Sequence, residues 1–303
     1  MPKSSVQSRT SARPRPASQQ VIEELRPGQS LELLKELHIL TREGRLNQDT
    51  RRKLKQVYHL YQFIEPLLDD VHQRSPAPVL VDHGAGKSYL GFILYDLYYN
   101  VARAGQLAGG RVIGVETRSE LVARSKDLAR RLGFERMDFL NLSVQQAHGA
   151  AQMPAQVDIV TALHACNTAT DDALSFGLAH QARHMVLVPC CQAEVAGVLR
   201  QSKALAIRRT PLAELWRHPL HTREFGSQIT NVLRCLRLQA HGYDVTVTEL
   251  VGWEHSLKNE LILASRPAQA QPAKARAAAE RLQALLTELG LADLHERFAA
   301  PVA

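Results

Sequence analysis

No apolar run in the 303-residue chain approaches the ~20 residues that a membrane-spanning helix needs. The most apolar stretch, residues 89–102, is interrupted by Asp96 and Asn100. Cysteine is scarce: Cys166, Cys190, Cys191 and Cys235 are too few and too unevenly placed for a disulfide framework, and the adjacent pair does not bridge itself. A reducing, cytoplasmic setting with no membrane partner is the expectation. Residues 1–20 lack acidic residues altogether and lack apolar residues at helical spacing. Such a segment cannot bury enough surface to fold and reads as a disordered basic tail. An Arg/Ser-rich, acid-free start also suits an organelle transit peptide, but the missing amphipathic stripe favours a plain tail. No internal repeat is present.

What the chain does have is a 45% apolar composition, enough for a sizeable core, and a net charge of +7. Lys3, Arg9, Arg13 and Arg15 supply four of the seven excess charges, leaving the body at +3. A second basic cluster, Arg45, Arg51, Arg52, Lys53 and Lys55, is opposed by Asp49 alone. It reads equally as a solvated helix face or as an RNA contact.

Hydrophobic periodicity divides the rest. Residues 31–42 form a helix behind a Ser30 cap, with Leu33, Leu34, Leu37 and Leu40 as its stripe and Gly44 as its stop. Residues 50–72 form a second helix on the stripe Leu54, Val57, Tyr61, Ile64, Leu68 and Val71, with a kink expected at Pro66. From residue 78 strands and helices alternate: strands at 79–81, 111–115, 137–140, 157–162 and 185–188, a helix over 87–104, and one opened by a Thr117/Glu120 capping box and closed by Gly133. Thr170 or Asp171 caps the helix between the last two strands. This alternation means βαβ units and a parallel sheet. A helix over 227–240 ends at Gly242, and strands at 245–251 and 257–264 form a late hairpin, so one strand enters antiparallel. The expected fold is α/β: a Rossmann-like seven-stranded sheet with N-terminal helices and a short helical C-terminal tail. The expected divisions are 1–20 (tail), 21–74 (helical segment), 75–265 (main domain) and 266–303 (linker and helical tail).

Asp82-His83-Gly84-Ala85-Gly86-Lys87-Ser88 lies between the first strand and its helix, where glycines let the backbone approach a ligand. Gly86-Lys87-Ser88 looks like the end of a P-loop, but that motif needs glycine at position 81, which is Val. A dinucleotide fingerprint needs a small residue at position 89, which is Tyr. An acid, Gly-x-Gly, and a second strand ending in an acid follow the logic of an S-adenosylmethionine site. Glu116 is placed to take both ribose hydroxyls; its plain alternative is a helix-capping surface residue.

These pieces, with Lys53-Leu54-Lys55-Gln56, Gly114-Val115-Glu116, Leu163-His164-Ala165-Cys166, Val188-Pro189-Cys190-Cys191 and Lys258-Asn259, occur in one order over residues 50–265. In that order they resemble the class I methyltransferase domain shared by the tRNA acceptor-stem ribose methyltransferase and the glutathione-S-transferase-C-terminal-domain-containing proteins. The family usually has glycine where this chain has Ser88 and Asn167, and the N-terminal region holds no Cys/His zinc module like that of the tRNA enzyme.

The resemblance implies a methyltransferase using S-adenosyl-L-methionine. Asp82, Gly84, Ala85 and Gly86 would surround the methionine moiety, Glu116 the ribose and Ser143 the adenine edge, with His164 also at the cofactor. His164, Cys166, Asn167 and Asp171 after the fourth strand, and Cys190, Cys191 and Gln192 after the fifth, would face the acceptor. His164 or Asp171 would serve as base for a hydroxyl acceptor, while Asn167 and backbone oxygens suffice for a nitrogen. Cys190 and Cys191 are either packing residues or a nucleophile toward a pyrimidine ring. Zinc on His164, Cys166, Cys190 and Cys191 fits by ligand type, but adjacent cysteines chelate one ion awkwardly, so no metal is expected. RNA is the expected substrate class; a protein substrate, or a non-catalytic RNA-binding protein on the same fold, is the alternative.

Overall fold

The computed structural model describes residues 24–107, 109–163, 165, 167–190, 192–201, 211–250 and 260–300. The basic tail therefore lies outside the described residues. Seven strands form one sheet: β1 (Val79–His83), β2 (Arg111–Glu116), β3 (Met137–Asn141), β4 (Ile159–Leu163), β5 (His184–Val188), β6 (Asp244–Glu249) and β7 (Glu260–Ser265). Their order is β3-β2-β1-β4-β5-β7-β6, parallel except for β7, which runs antiparallel to β5 and β6. This is the class I methyltransferase sheet, and the late antiparallel strand falls where the hairpin argument puts it. The order reverses between β1 and β4, which opens a crevice at the carboxyl ends of the central strands. Register sets Asp82 beside Gly114 on one side and Thr161 on the other, and Glu116 beside Asn141.

Helices cover both faces. On one lie α1 (Leu31–Glu36), α2 (Gln48–Arg74), α3 (Tyr89–Leu94) and α4 (Ser119–Leu132), packed around Leu54, Ile64, Leu80, Phe92 and Val112. On the other lie α5 (Val144–Ala147) and α6 (Thr168–Ala179), with Val81, Val115, Leu174 and Phe176 in the core. A third cluster joins α7 (Glu194–Gln201), α8 (Pro219–Ala240) and α9 (Pro272–Glu288) through Val195, Leu233, Leu282 and Leu286. The C-terminal helix is thus docked on the domain by its own apolar stripe. Among the described residues no helix is long and apolar enough to cross a membrane.

Several elements differ from the sequence reading. α1 stops at Glu36 because His38 adopts a left-handed φ of 54° and the amides of Ile39 and Leu40 both return to the Leu34 carbonyl. That turn drives Leu37, Ile39 and Leu40 into the core. α2 continues through Pro66 as one element and starts earlier, at a reciprocal capping box between Asn47 and Thr50. The expected helix over 87–104 divides into α3 and a π-helical turn, Tyr95–Ala102. Its wider turn spreads Tyr95 against Phe134, and Tyr98 and Tyr99 against His72, while Asp96 accepts the Ser30 amide. Thr117 does not cap α4; its hydroxyl donates to Glu116 instead, at 3.3 Å. Neither Thr170 nor Asp171 caps α6, which follows Asn167; Thr170 donates to the Ala165 carbonyl. α8 begins at Pro219, eight residues before the expected start at 227.

Candidate active site

The loop leaving β1 alternates left-handed residues: Gly84 (φ 64°), Gly86 (φ 59°) and Ser88 (φ 51°). Glycine takes that conformation freely; serine does so at a cost of ~1–2 kcal/mol. The loop is fastened by Ala85 N–H to the Val115 carbonyl (3.0 Å) and by Gly86 N–H to Glu116 Oε2 (2.8 Å). Ala85 lies over β2 at Gly114, where an added Cβ would come within 2.8 Å of the Phe139 ring and 3.4 Å of the Ala85 Cβ, so that a glycine leaves space for both. The short Gly-Val-Glu motif therefore makes room for the loop as well as supplying the carboxylate.

Ser88 is fully buried, and its hydroxyl has no hydrogen-bond partner among the described residues. Ser88→Gly removes both the strained backbone and the orphaned hydroxyl. After the entropy that glycine adds to the unfolded chain, a gain of ~1 kcal/mol is expected in thermal or urea unfolding. A loss of stability in that variant would contradict this account.

Asp82 is 2% exposed, and its carboxylate accepts only the Thr161 hydroxyl (2.7 Å) among the described residues, with no cation paired to it. Burial pushes its carboxyl up to about 7, against the smaller opposing effect of the Thr161 hydrogen bond. Glu116 is the reverse case. Burial pushes it up, but the Arg118 side chain and amide and the Gly86 amide outweigh that and hold it near 2. Arg118 donates to Glu116 from its amide (3.0 Å), Nε (3.0 Å) and Nη2 (3.3 Å). Asn141, unnoticed in the sequence, donates to the carbonyls of Glu116 and Thr117 and ties the ends of β2 and β3 together. Ser143 lies two residues beyond β3, and its hydroxyl and amide form a capping box with Gln146. The hydroxyl accepts in that box and keeps its O–H to donate.

Across the crevice, Asn167 has a φ of 51° and ψ of −121°, strained for a residue with a side chain. Its Oδ1 accepts the Ala193 amide (3.2 Å) and its carbonyl accepts Arg234 Nη2 (2.9 Å). Asp171 is not a free base. Both its oxygens accept from Arg234, at 2.8 and 2.7 Å, and the pair is buried. Arg234 also donates to Asn231 Oδ1 (3.0 Å), which accepts from Gln192 as well; Asn231 Nδ2 donates to Glu260. The expected acceptor residues Asn167, Asp171 and Gln192 are therefore cross-braced by α8. The sequence signal for this brace is an arginine on the buried stripe of α8, between Leu233 and Leu238. Cys190 ends the β5 turn half-buried. His164, Cys166 and Cys191 lie outside the described residues. Among the described residues no group of three His, Cys, Asp or Glu side chains could hold a metal.

The donor half thus consists of a glycine cradle, a buried carboxylate lacking a counter-charge among the described residues and a second carboxylate at the end of β2. An S-adenosylmethionine molecule fits this donor set: its ammonium is the cation Asp82 lacks, and its ribose diol suits Glu116. Residues 52–198 match a family described as a methyltransferase domain. The chain carries an S-adenosylmethionine-dependent methyltransferase domain. No curated protein matches the methyltransferase by sequence. Among solved structures it is similar to magnesium protoporphyrin IX methyltransferase from Synechocystis PCC 6803 with bound S-adenosylhomocysteine, at 13% identity and TM-score 0.41 over 78% of this chain and 93% of that one. It is also similar to Aeropyrum pernix fibrillarin with bound S-adenosyl-L-methionine (13%, TM-score 0.37, 62% of this chain and 66% of that one). A third is an rRNA methylase from Streptococcus thermophilus (9%, TM-score 0.36, 63% and 88%).

Binding of S-adenosylhomocysteine reports on this half directly. Glu116→Ala is expected to weaken it by ~1–3 kcal/mol, the cost of losing charge-assisted hydrogen bonds. Asp82 must be ionised to face an ammonium, so wild-type affinity climbs as pH rises through about 7. In Asp82→Asn that climb disappears. Calorimetry between pH 6 and 8 checks both; a pH-independent wild type would sink the role given to Asp82.

Proposed function

We propose that the methyltransferase acts on RNA. Bound S-adenosylmethionine supplies a methyl group on a sulfonium centre, an electrophile that needs alignment more than activation. The chain's own part is to hold the donor at Asp82 and Glu116 and to present the acceptor along the braced loops at Asn167 and Gln192. Each oxygen of Asn167 already accepts one hydrogen bond and keeps a second lone pair for an acceptor N–H or O–H.

The observation that carries the RNA reading is a set of exposed cations without ion-pair partners among the described residues. Lys87, next to Gly86, and Arg124 line a cleft of about 490 Å³ between the turn after α1 and α4. Arg131 in the same cleft is neutralised by Glu32, Glu36 and Asp127. On the first turns of α2, Arg51 pairs with Glu24 and Arg52 only loosely with Asp49 (3.9 Å), while Lys53 and Lys55 are exposed and unpaired. The motif order resembling the tRNA acceptor-stem ribose methyltransferase supports the same class of acceptor.

RNA affinity is accordingly expected to fall with salt, and each lost phosphate contact on a single strand removes ~0.7 from the slope of log K against log salt. Lys87→Ala/Arg124→Ala and Lys53→Ala/Lys55→Ala should each flatten that slope and leave S-adenosylhomocysteine binding unchanged. A full-length chain that ignores RNA at low salt would turn the reading to a protein acceptor.

A further inference from the structure

Glu116 receives more hydrogen bonds than a carboxylate has places for. Gly86 N–H, the Thr117 hydroxyl, and the amide, Nε and Nη2 of Arg118 all point at its two oxygens, at 2.8 to 3.3 Å. Two carboxylate oxygens offer about four lone-pair sites. A ribose diol would bring two further O–H donors to the same atoms, so three of the present donors must leave: the two of the Arg118 guanidinium and the rotatable Thr117 hydroxyl. The Gly86 and Arg118 amides are fixed by the loop and by the start of α4. The Arg118 guanidinium is the movable charge: its side chain is 60% exposed, whereas that of Glu116 is 8% exposed. It also reaches over the glycine loop, with Nη2 3.7 Å from where a Cβ on Gly86 would stand.

We propose that Arg118 is a displaceable stand-in for the donor's ribose, closed on Glu116 until a nucleoside diol replaces it. This rests on the reading of Glu116 as the ribose residue. In the closed state the guanidinium keeps the carboxylate ionised and aimed, and so holds Gly86 in place. Nucleoside binding exchanges one ion pair, exposed on its arginine side, for two hydroxyl hydrogen bonds. Arg118 therefore tunes donor affinity without being needed for it.

Adenosine is the discriminating probe because it is neutral, so salt acts on its binding only through the protein's charges. Adenosine and S-adenosylhomocysteine are titrated into the full chain as wild type, Arg118→Ala, Arg118→Lys and Glu116→Gln, at low and high sodium chloride. Wild-type affinity for adenosine is expected to rise with salt, as screening loosens the ion pair. Arg118→Ala should bind adenosine about two- to fivefold more tightly, the range set by an ion pair whose arginine is solvated, and lose the salt response. Arg118→Lys, which keeps the charge but not the fork that spans both oxygens, should fall between. Weaker adenosine binding in Arg118→Ala would mean that the guanidinium holds the nucleoside and would overturn the proposal, as would an unchanged affinity and salt response. Glu116→Gln separates the two levels. If its adenosine affinity equals wild type, or if neither ligand binds wild type, the ribose reading itself fails. If Glu116→Gln loses binding and Arg118→Ala gains none, only the stand-in fails.

Discussion

Arg234→Ala is expected to lower the stability of the fold by about 3–5 kcal/mol, the largest single effect among the site residues. Asp171 and Arg234 form a bidentate pair in which both side chains are almost fully buried, with the arginine 1% exposed. Removing the arginine leaves a carboxylate in the interior without the cation hydrogen-bonded to both its oxygens. It also takes donors from Asn231 Oδ1 and the Asn167 carbonyl. The cost belongs to the orphaned charge rather than to the pair, so the double variant Asp171→Leu/Arg234→Met should recover most of it. Urea unfolding of Arg234→Ala and of the double variant tests this. A loss under about 1 kcal/mol in Arg234→Ala would show that water reaches the carboxylate and that the brace is not dry. Asn167 makes the brace matter for function as well as stability. Its backbone is strained, and the Arg234 and Ala193 hydrogen bonds are what hold it, so the acceptor wall proposed above would depend on an ion pair outside it.

The parts of this site that follow from neighbours in sequence were legible before the fold was known. Gly84 and Gly86 occur between a strand and a helix, and Glu116 ends the next strand; their spacing alone places them at one edge of a parallel sheet. The parallel run and the antiparallel entry of β7 follow equally from strand spacing. What escaped depends on pairing across long distances in the chain. Asp171 looked like a base because its partner lies 63 residues away on α8. Nothing in the sequence shows that Arg118 folds back onto Glu116. The early end of α1 turns on a left-handed histidine, which no periodicity announces. Ser143 is the local case: Ser-x-x-Gln is a capping signature, and the structure forms that box.

His83→Leu is expected to stabilise the chain increasingly as pH falls. His83 ends β1, one residue from Asp82 and on the opposite face of the sheet, against Phe176 with ring centroids 4.4 Å apart. It is 1% exposed, and neither ring nitrogen has a hydrogen-bond partner among the described residues. Burial pushes its pKa down to about 3, with the His148 and His180 charges adding to the same direction. Between pH 6.5 and about 3 the unfolded chain binds a proton that the folded chain refuses. The contribution of His83 is therefore complete above pH 6.5 and is lost as pH falls through that window. At 1.36 kcal/mol per unit, the loss reaches about 2 kcal/mol at pH 5. Asp82 works the other way over an overlapping range: its raised pKa means that folding binds a proton between about 4 and 7, which adds stability on acidification. The two neighbours offset one another, and the wild-type stability curve is flatter than either alone. The difference between His83→Leu and wild type isolates the histidine, because Asp82 is common to both. Urea unfolding at pH 7.5, 6 and 5 should show that difference widening toward acid. A constant difference would mean that His83 is protonated inside the fold and has found a partner that its burial beside Phe176 conceals.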